Sequence, residues 1–245
     1  STWVCVGGTQ VDADTVTIAL GENVTCTITN NDNAPTLTLD KVVMNDNGGT
    51  AAESAWTLTA TGNPVTNPAT LSGAGAAGNT DVVSGATFDA GTYDLSETGG
   101  PAGYTASAWV CVGGTQVDGD TVTIALGENV TCTITNNDNA TTLTLVKTLV
   151  NDNGGTNIIA DWALTADGNP FTSGVSQNVT PDTYTLTESG PSGYTASAWV
   201  CVGGSQTGSD ITLALGENAT CTITNDDTSA TLTLQKTVVN DNGGS

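Results

Sequence analysis

Along most of this chain apolar and polar residues alternate one for one. In TLTLDKVV (36–43) Leu37 and Leu39 share a face, and in VTCTITN (130–136) Val130, Cys132 and Ile134 do the same. A period of two predicts short strands with one buried face, and the abundance of Thr and Val suits them. Clusters of Asn, Asp and Gly, such as Asn45–Gly49 and Gly127–Asn129, punctuate the runs as turns. No segment carries a helical period. The expected class is therefore all-β.

The pattern also repeats. TLTLDKVVMNDNGG at 36–49 returns as TLTLVKTLVNDNGG at 142–155 and as TLTLQKTVVNDNGG at 231–244. Cys5 to Cys111 and Asn45 to Asn151 are both 106 residues apart, whereas Asn151 to Asn240 is 89. The shortening falls between the Trp162 and Tyr184 landmarks. The extra material of the longer copy, around residues 71–88 and rich in Gly, Ala and Ser, is expected in a surface loop or an added hairpin.

The expected organisation is residues 1–34 as the closing part of one repeat, 35–140 as a complete repeat with an insertion, 141–230 as a complete shorter one, and 231–245 as the opening strand of the next. A repeat of this size can hold its own core. Roughly seven short strands per repeat, with turns between them, predict tandem β-sandwiches of immunoglobulin-like build. The phase of the repeats and the absence of an initiating Met suggest an interior or processed piece of a longer chain. Donation of the last strand to a neighbouring molecule is the second reading of the same ends.

Parity places three polar side chains on core faces in each complete repeat. Lys41 follows Leu37 and Leu39, Glu97 follows Tyr93 and Leu95, and Asn136 follows Cys132 and Ile134. Lys147, Glu188 and Asn225 occupy the same places in the second repeat. The chain has three basic residues in all, Lys41, Lys147 and Lys236, one per copy of the opening motif. An isolated charge in a core costs several kcal/mol, about the difference that drives such groups to pair or to neutralise. Desolvation favours a neutral amine beside a protonated acid. A neutral amine is a nucleophile, and a protonated Glu can polarise an Asn carboxamide and move protons. Attack of Lys on Asn with loss of ammonia would leave an isopeptide cross-link, with Glu97 and Glu188 as the catalytic groups. A buried Lys-Glu ion pair capped by Asn is the alternative without covalent chemistry.

The TLxLxK opening strand, the stretches YDLSETGGPAGY (93–104) and YTLTESGPSGY (184–194), and the closing strand ending in Asn resemble the prealbumin-like, or collagen-adhesin B-type, repeats of bacterial surface proteins. The resemblance covers both complete repeats and implies a Lys-Asn isopeptide bond with a neighbouring Glu catalyst. That role falls on Lys41, Glu97 and Asn136, and on Lys147, Glu188 and Asn225. The cysteines and the long Asn-Asp-Asn-Gly-Gly turn depart from the familiar members.

Composition narrows the function. The formal charge is −22, with no His and only three basic residues. No Lys/Arg cluster can be assembled for nucleic acid, and an anionic membrane surface is equally disfavoured. No apolar run is long enough for a membrane span. Without His or Arg, no Ser-His or Cys-His nucleophile system can be built, so the chain is expected not to be an enzyme beyond one turnover upon itself.

The six cysteines fall as Cys5 with Cys26, Cys111 with Cys132, and Cys201 with Cys221, and pairing within repeats implies an oxidising, extracellular setting. A zinc site competes, but there is neither a CxxC motif nor a His.

Two weaker signals remain. Asp46 and Asp152, in the Asn-Asp-Asn-Gly-Gly turns, are candidate calcium ligands, although the same residues suit any tight turn. No other cofactor is expected. Asn23, Asn129, Asn139, Asn178 and Asn218 begin glycosylation sequons, in a sequence where Asn also suits turns and Thr suits strands.

The expected function is a secreted or cell-surface structural protein that self-associates into a filament or belongs to a longer array, forming a fibre, pilus or stalk. The alternative is an adhesin whose repeats are spacers, with a variable loop, such as 72–88, gripping an extracellular matrix or host ligand.

Overall fold

The computed structural model describes residues 1–63, 70–76, 78 and 81–244. Its contacts divide into two compact units: residues 1–42, 52–99 and 107–135, and residues 43–51, 100–106 and 136–245. Apart from two short 3₁₀ turns at Glu53–Ala55 and Ile159–Asp161, the regular structure is all strand. No helix of the described residues is long and apolar enough to cross a membrane.

Two sets of sheets form sandwiches. In the first, one sheet runs Tyr104–Ala106, Asn129–Asp138, Thr36–Met44 and Val82–Val83, with Val110–Val112 also on the Asn129–Asp138 strand. Its companion sheet runs Thr115–Gln116, Thr121–Ile124, Gly91–Gly99, Trp56–Asn63 and Thr70–Ala74. The second set repeats this scheme. Ser176–Val179, Thr141–Val150, Asn218–Asp227 and Tyr194–Ala196 form one sheet, with Val200–Val202 also on Asn218–Asp227. Asn169–Phe171, Ala163–Ala166, Thr183–Ser189, Asp210–Thr212 and Ser205–Thr207 form the other.

The alternation seen in the sequence sets the burial. Leu143, Leu145 and Lys147 point inward along Thr141–Val150, and Ala219, Cys221, Ile223, Asn225 and Asp227 along Asn218–Asp227, while the residues between them are more exposed. Each set closes around its own core, with Leu58, Tyr93, Val122 and Ile134 in one and Leu164, Leu186, Ile211 and Ile223 in the other. In the second set the opening strand Thr141–Val150 and the closing strand Asn218–Asp227 are parallel neighbours over nine paired positions, from Thr142 opposite Asn218 to Val150 opposite Asp226.

The described parts of the insertion in the longer repeat extend the two sheets at their edges. Its ends supply Thr70–Ala74, which pairs with Trp56–Asn63, and Val82–Val83, which pairs with the opening strand at Thr38 and Leu39. Asn169–Phe171 and Ser176–Val179 occupy the corresponding edges in the shorter repeat. Val82 and Phe88 are buried in the core, so this region is not simply a surface loop. Part of the expected loop, at residues 77, 79 and 80, lies outside the described residues.

Residues 1–34 contain two small two-stranded sheets, Trp3–Val6 with Thr25–Ile28 and Thr9–Gln10 with Val16–Thr17. Without a second layer over them, Trp3 is 41% exposed where its counterpart Trp109 is 4% exposed. The TLTLQK copy at 231–236 forms no strand, and residues 228–244 are exposed throughout. Its alternation is right for a strand, but a strand needs a partner, and this segment pairs with none of the described residues.

The disulfide strand has a guarded edge in every copy. The Gln116 side chain accepts from the Cys111 N–H (3.0 Å) and donates to the Trp109 carbonyl (2.7 Å). Gln10 and Gln206 make the same two bonds to Cys5 and Trp3, and to Cys201 and Trp199. A side-chain amide thus stands in for the next strand and closes an edge that would otherwise be open to pairing.

Candidate functional site

The disulfides link Cys5 to Cys26, Cys111 to Cys132, and Cys201 to Cys221. Each joins directly opposed residues of an antiparallel pair. In the complete repeats they tie the strand after the GYTASAW segment to the closing strand.

Lys147 enters from the opening strand, and its side chain is fully enclosed. Its Nζ lies 2.9 Å from Glu188 Oε2, on the strand Thr183–Ser189 of the facing sheet. The Trp162 ring stands 5.1 Å from the same nitrogen. Asn225 completes the group on the closing strand, where it is 5% exposed. Lys147 is opposite Ile223 in the parallel ladder, so Asn225 is the next inward-facing residue along the adjacent strand. A lysine side chain can span such a diagonal. Lys147 Nζ and Glu188 Oε2 are close in distance but make no aligned hydrogen bond, and Asn225 Oδ1 is buried without a hydrogen-bond partner. Buried polar atoms are seldom left this way, since each costs about 1–3 kcal/mol.

The first repeat carries the same pair. Lys41 Nζ lies 3.1 Å from Glu97 Oε2 and 4.8 Å from the Trp56 ring. Burial pushes the Lys41 amine below the usual lysine value, against the opposing pull of Glu97, Glu53 and Asp81. Asn136 sits inward on its closing strand at 3% exposure. Lys236, the third lysine, is exposed.

The Asn-Asp-Asn-Gly-Gly turns have a job that sequence reading missed. In the two complete repeats the turn wraps the carboxylate of an aspartate at the end of the closing strand. Asp138 accepts from the backbone N–H groups of Asp46 (3.0 Å), Asn47 (2.8 Å) and Gly49 (2.7 Å). Asp227 accepts from Asp152 (2.9 Å), Asn153 (2.9 Å) and Gly155 (2.6 Å). This is a backbone nest, a set of convergent N–H groups around an anion.

Gly48 and Gly154 adopt φ of 95° and 94°, the left-handed region that turns the chain around the carboxylate. A Cβ on Gly49 or Gly155 would collide with the tyrosine hydroxyl and with the aspartate it faces. Tyr194 donates to Asn151 Oδ1 (2.8 Å) and accepts from the Asn157 N–H (3.3 Å), bracing the turn from behind. Tyr104 braces the first turn through Asn45 and the Ala51 N–H.

Burial alone would raise the Asp138 carboxyl, but the Gly49, Asn47 and Asp46 donors outweigh it and hold it below the usual range. Asp227 is lowered for the same reason, by Gly155, Asn153 and Asp152. The signal was present in the sequence. Asp138 and Asp227 continue the inward parity of Asn136 and Asn225 by one more step.

The expected calcium ligands Asp46 and Asp152 lie in these turns. Asp152, Asp226 and Asp227 bring carboxylate oxygens within 4.8 Å of one another, but the first repeat has Asn137 at the place of Asp226. Both oxygens of Asp227 already accept N–H groups.

Comparison with known proteins places the chain in a family. The model for the prealbumin-like fold domain matches residues 1–28, 32–134 and 138–223, and the chain belongs to that family. Comparison with curated proteins returns no match.

Among solved structures the chain is similar to the Bacillus anthracis TIE protein, at 12% identity and a TM-score of 0.44, over 84% of this chain and 37% of that one. It is also similar to the major pilin T-13 of Streptococcus pyogenes, at 14% identity and a TM-score of 0.34, over 79% of this chain and 97% of the pilin. A C-terminal fragment of the pilus adhesin SpaC from Lactobacillus rhamnosus GG matches at 15% identity and a TM-score of 0.36, over 81% and 99% of the two chains.

Proposed function

We propose that this chain is a secreted or cell-surface structural segment of a fibre, pilus or stalk, whose complete repeats are closed by disulfides and by Lys-Asn isopeptide bonds. The observation that carries the reading is the enclosed group Lys147, Glu188 and Asn225. Three strands deliver an amine, a carboxyl group and a carboxamide, and none of their three buried polar atoms has an aligned hydrogen bond. A covalent bond would resolve that arrangement where an ion pair does not.

In the proposed reaction the neutral Lys147 amine attacks Asn225 Cγ. Glu188 first donates its proton to the carboxamide oxygen, takes a proton from the attacking nitrogen and passes it to the departing amino group, and recovers its first proton from that oxygen as the C=O bond re-forms. The Nζ–Cγ bond forms, the Cγ–Nδ2 bond breaks, ammonia leaves, and Glu188 ends as it began. Lys41, Glu97 and Asn136 take the same roles in the first repeat.

The mechanical consequence follows from topology. Chain tension enters the second repeat near Thr141 and leaves near Asp227, so it shears two parallel neighbours past one another. A bond between them carries that load without relying on the ladder. Intact mass under native and reduced conditions tests the chemistry. The expected mass is lower than the sequence by one ammonia per complete repeat, and Lys147→Ala restores one of them. A mass explained by disulfides alone overturns the isopeptide reading. Electron microscopy of the purified protein without added ligand tests the filament, and a solely monomeric sample would count against self-association.

A further inference from the structure

We propose that Asp227, with its nest at Asp152–Gly155, is a positioning residue for isopeptide closure in the second repeat. This inference rests on the reading given under Proposed function.

The lysine and the asparagine sit on parallel neighbouring strands, and their meeting depends on register. A slip of one residue would turn Asn225 to the opposite face of the sheet, and a slip of two would carry it along the strand away from Lys147. Thr and apolar residues alternate along both strands, so the ladder alone discriminates weakly against a two-residue slip.

The nest supplies that discrimination. Asp227 lies two residues beyond Asn225 on the same inward face, and the turn that grips it begins four residues beyond Lys147. Three backbone N–H groups fix the two oxygens of one carboxylate, and the Asn153 side chain also donates to the Asp227 carbonyl at 3.1 Å. A shifted register would leave the buried Asp227 carboxylate without its donors.

The grip is physically continuous with the lysine pocket. Tyr194, which braces the turn through Asn151, meets the Trp162 ring edge-on at 5.1 Å. Trp162 in turn covers the Lys147 amine. Closing the nest therefore seats the aromatic wall of the site as well as the asparagine strand.

The test uses the full chain with Asp227→Asn and Asp227→Glu, at a temperature where circular dichroism shows both folded. Samples taken at intervals after synthesis are digested, and the peptides bearing Lys147–Asn225 and Lys41–Asn136 are followed by mass. Asp227→Asn, which puts an NH₂ group into a ring of N–H donors, is expected to slow closure of the second repeat on the order of a hundredfold while the first keeps its rate. Asp227→Glu keeps a carboxylate and is expected to retain more of the rate. Equal rates for wild type and Asp227→Asn overturn the positioning role. So does a rate loss shared equally by both repeats.

Amide hydrogen exchange at Asp152, Asn153 and Gly155 provides the separate readout. Protection in wild type that is lost in Asp227→Asn shows that the nest itself forms in solution. Should wild type release no ammonia from either repeat, the isopeptide reading fails and the positioning role with it, and protection at these amides would leave the nest as a purely structural clamp.

Discussion

The two complete repeats place the same lysine, glutamate and tryptophan in one arrangement and then surround them differently. Around Lys41 the chain gathers extra acid. Asp40 precedes it, buried and bonded to the Thr133 hydroxyl at 3.0 Å, and the Lys41 N–H donates to Asp81 Oδ2 at 2.6 Å. Glu53 approaches from the 3₁₀ turn. Burial, reinforced by neighbouring carboxylates, holds both Glu53 and Asp81 above the usual carboxylate range. Around Lys147 the preceding residue is Val146, and the Lys147 N–H donates instead to the Ser173 hydroxyl at 2.9 Å. The Lys-Glu-Trp group keeps its arrangement in either setting, so its geometry is fixed by the sandwich and its electrostatics by whatever strand happens to cross the edge.

The largest expected effect removes the common element. Lys147→Ala leaves Glu188 buried without its partner, and should cost the second repeat about 3–5 kcal/mol. Calorimetry of the full chain should then show the second repeat melting well before the first, and Lys41→Ala should reverse the order. Coincident transitions in both variants would mean that the trio contributes little to either repeat.

Reducing the disulfides comes next. Replacing Cys201 and Cys221 by Ser should cost about 2–5 kcal/mol, again only in the second repeat. A loss spread over both transitions would mean that the two cores unfold together.

The acids around Lys41 give the comparison a pH axis. Because Asp81 and Glu53 have folded values raised above their unfolded ones, 3.8 and 4.5, their favourable contribution is complete below those unfolded values and disappears as pH rises through the folded ones. The first repeat should therefore lose stability relative to the second as pH rises through the folded values of these two acids. Asp81→Ser should reduce that drift to the part that Glu53 contributes, and the pair Val146→Asp and Ser173→Asp should import such a drift into the second repeat. The nests act with the opposite sign in both repeats. Asp138 and Asp227 are depressed, so their contribution is present above the unfolded value of 3.8 and is lost as pH falls through the folded one. Thermal melts from acid to neutral pH follow both terms, and parallel curves for the two repeats would remove the electrostatic difference.

The smallest expected effect concerns packing over Lys41. A Cβ on Gly75 would lie 2.5 Å from the Glu53 carbonyl oxygen and 3.0 Å from Lys41 Cβ. Gly75→Ala should destabilise the first repeat by about 1–3 kcal/mol and leave the second unchanged. An unaltered first transition would show that this crossing is loose enough to yield.

Sequence alone went far because strand parity is a local rule. Leu37, Leu39 and Lys41 had to share a face wherever that strand was placed, and so did Cys132, Ile134 and Asn136. The repeat made each assignment twice, and the all-β class and the family resemblance followed from the same residues. Parity names a face and not a neighbour, however. That Asp138 and Asp227 would be received by N–H groups roughly 70 to 90 residues earlier in the chain depended on the register of the opening strand beside the closing one. The Asn-Asp-Asn-Gly-Gly motif therefore looked like a turn or a calcium loop until its occupant was in place. The acids gathered at Lys41 were hidden for a related reason. Asp40, Glu53 and Asp81 come from three separate elements, and only the packing of those elements about one lysine makes their charges act on each other.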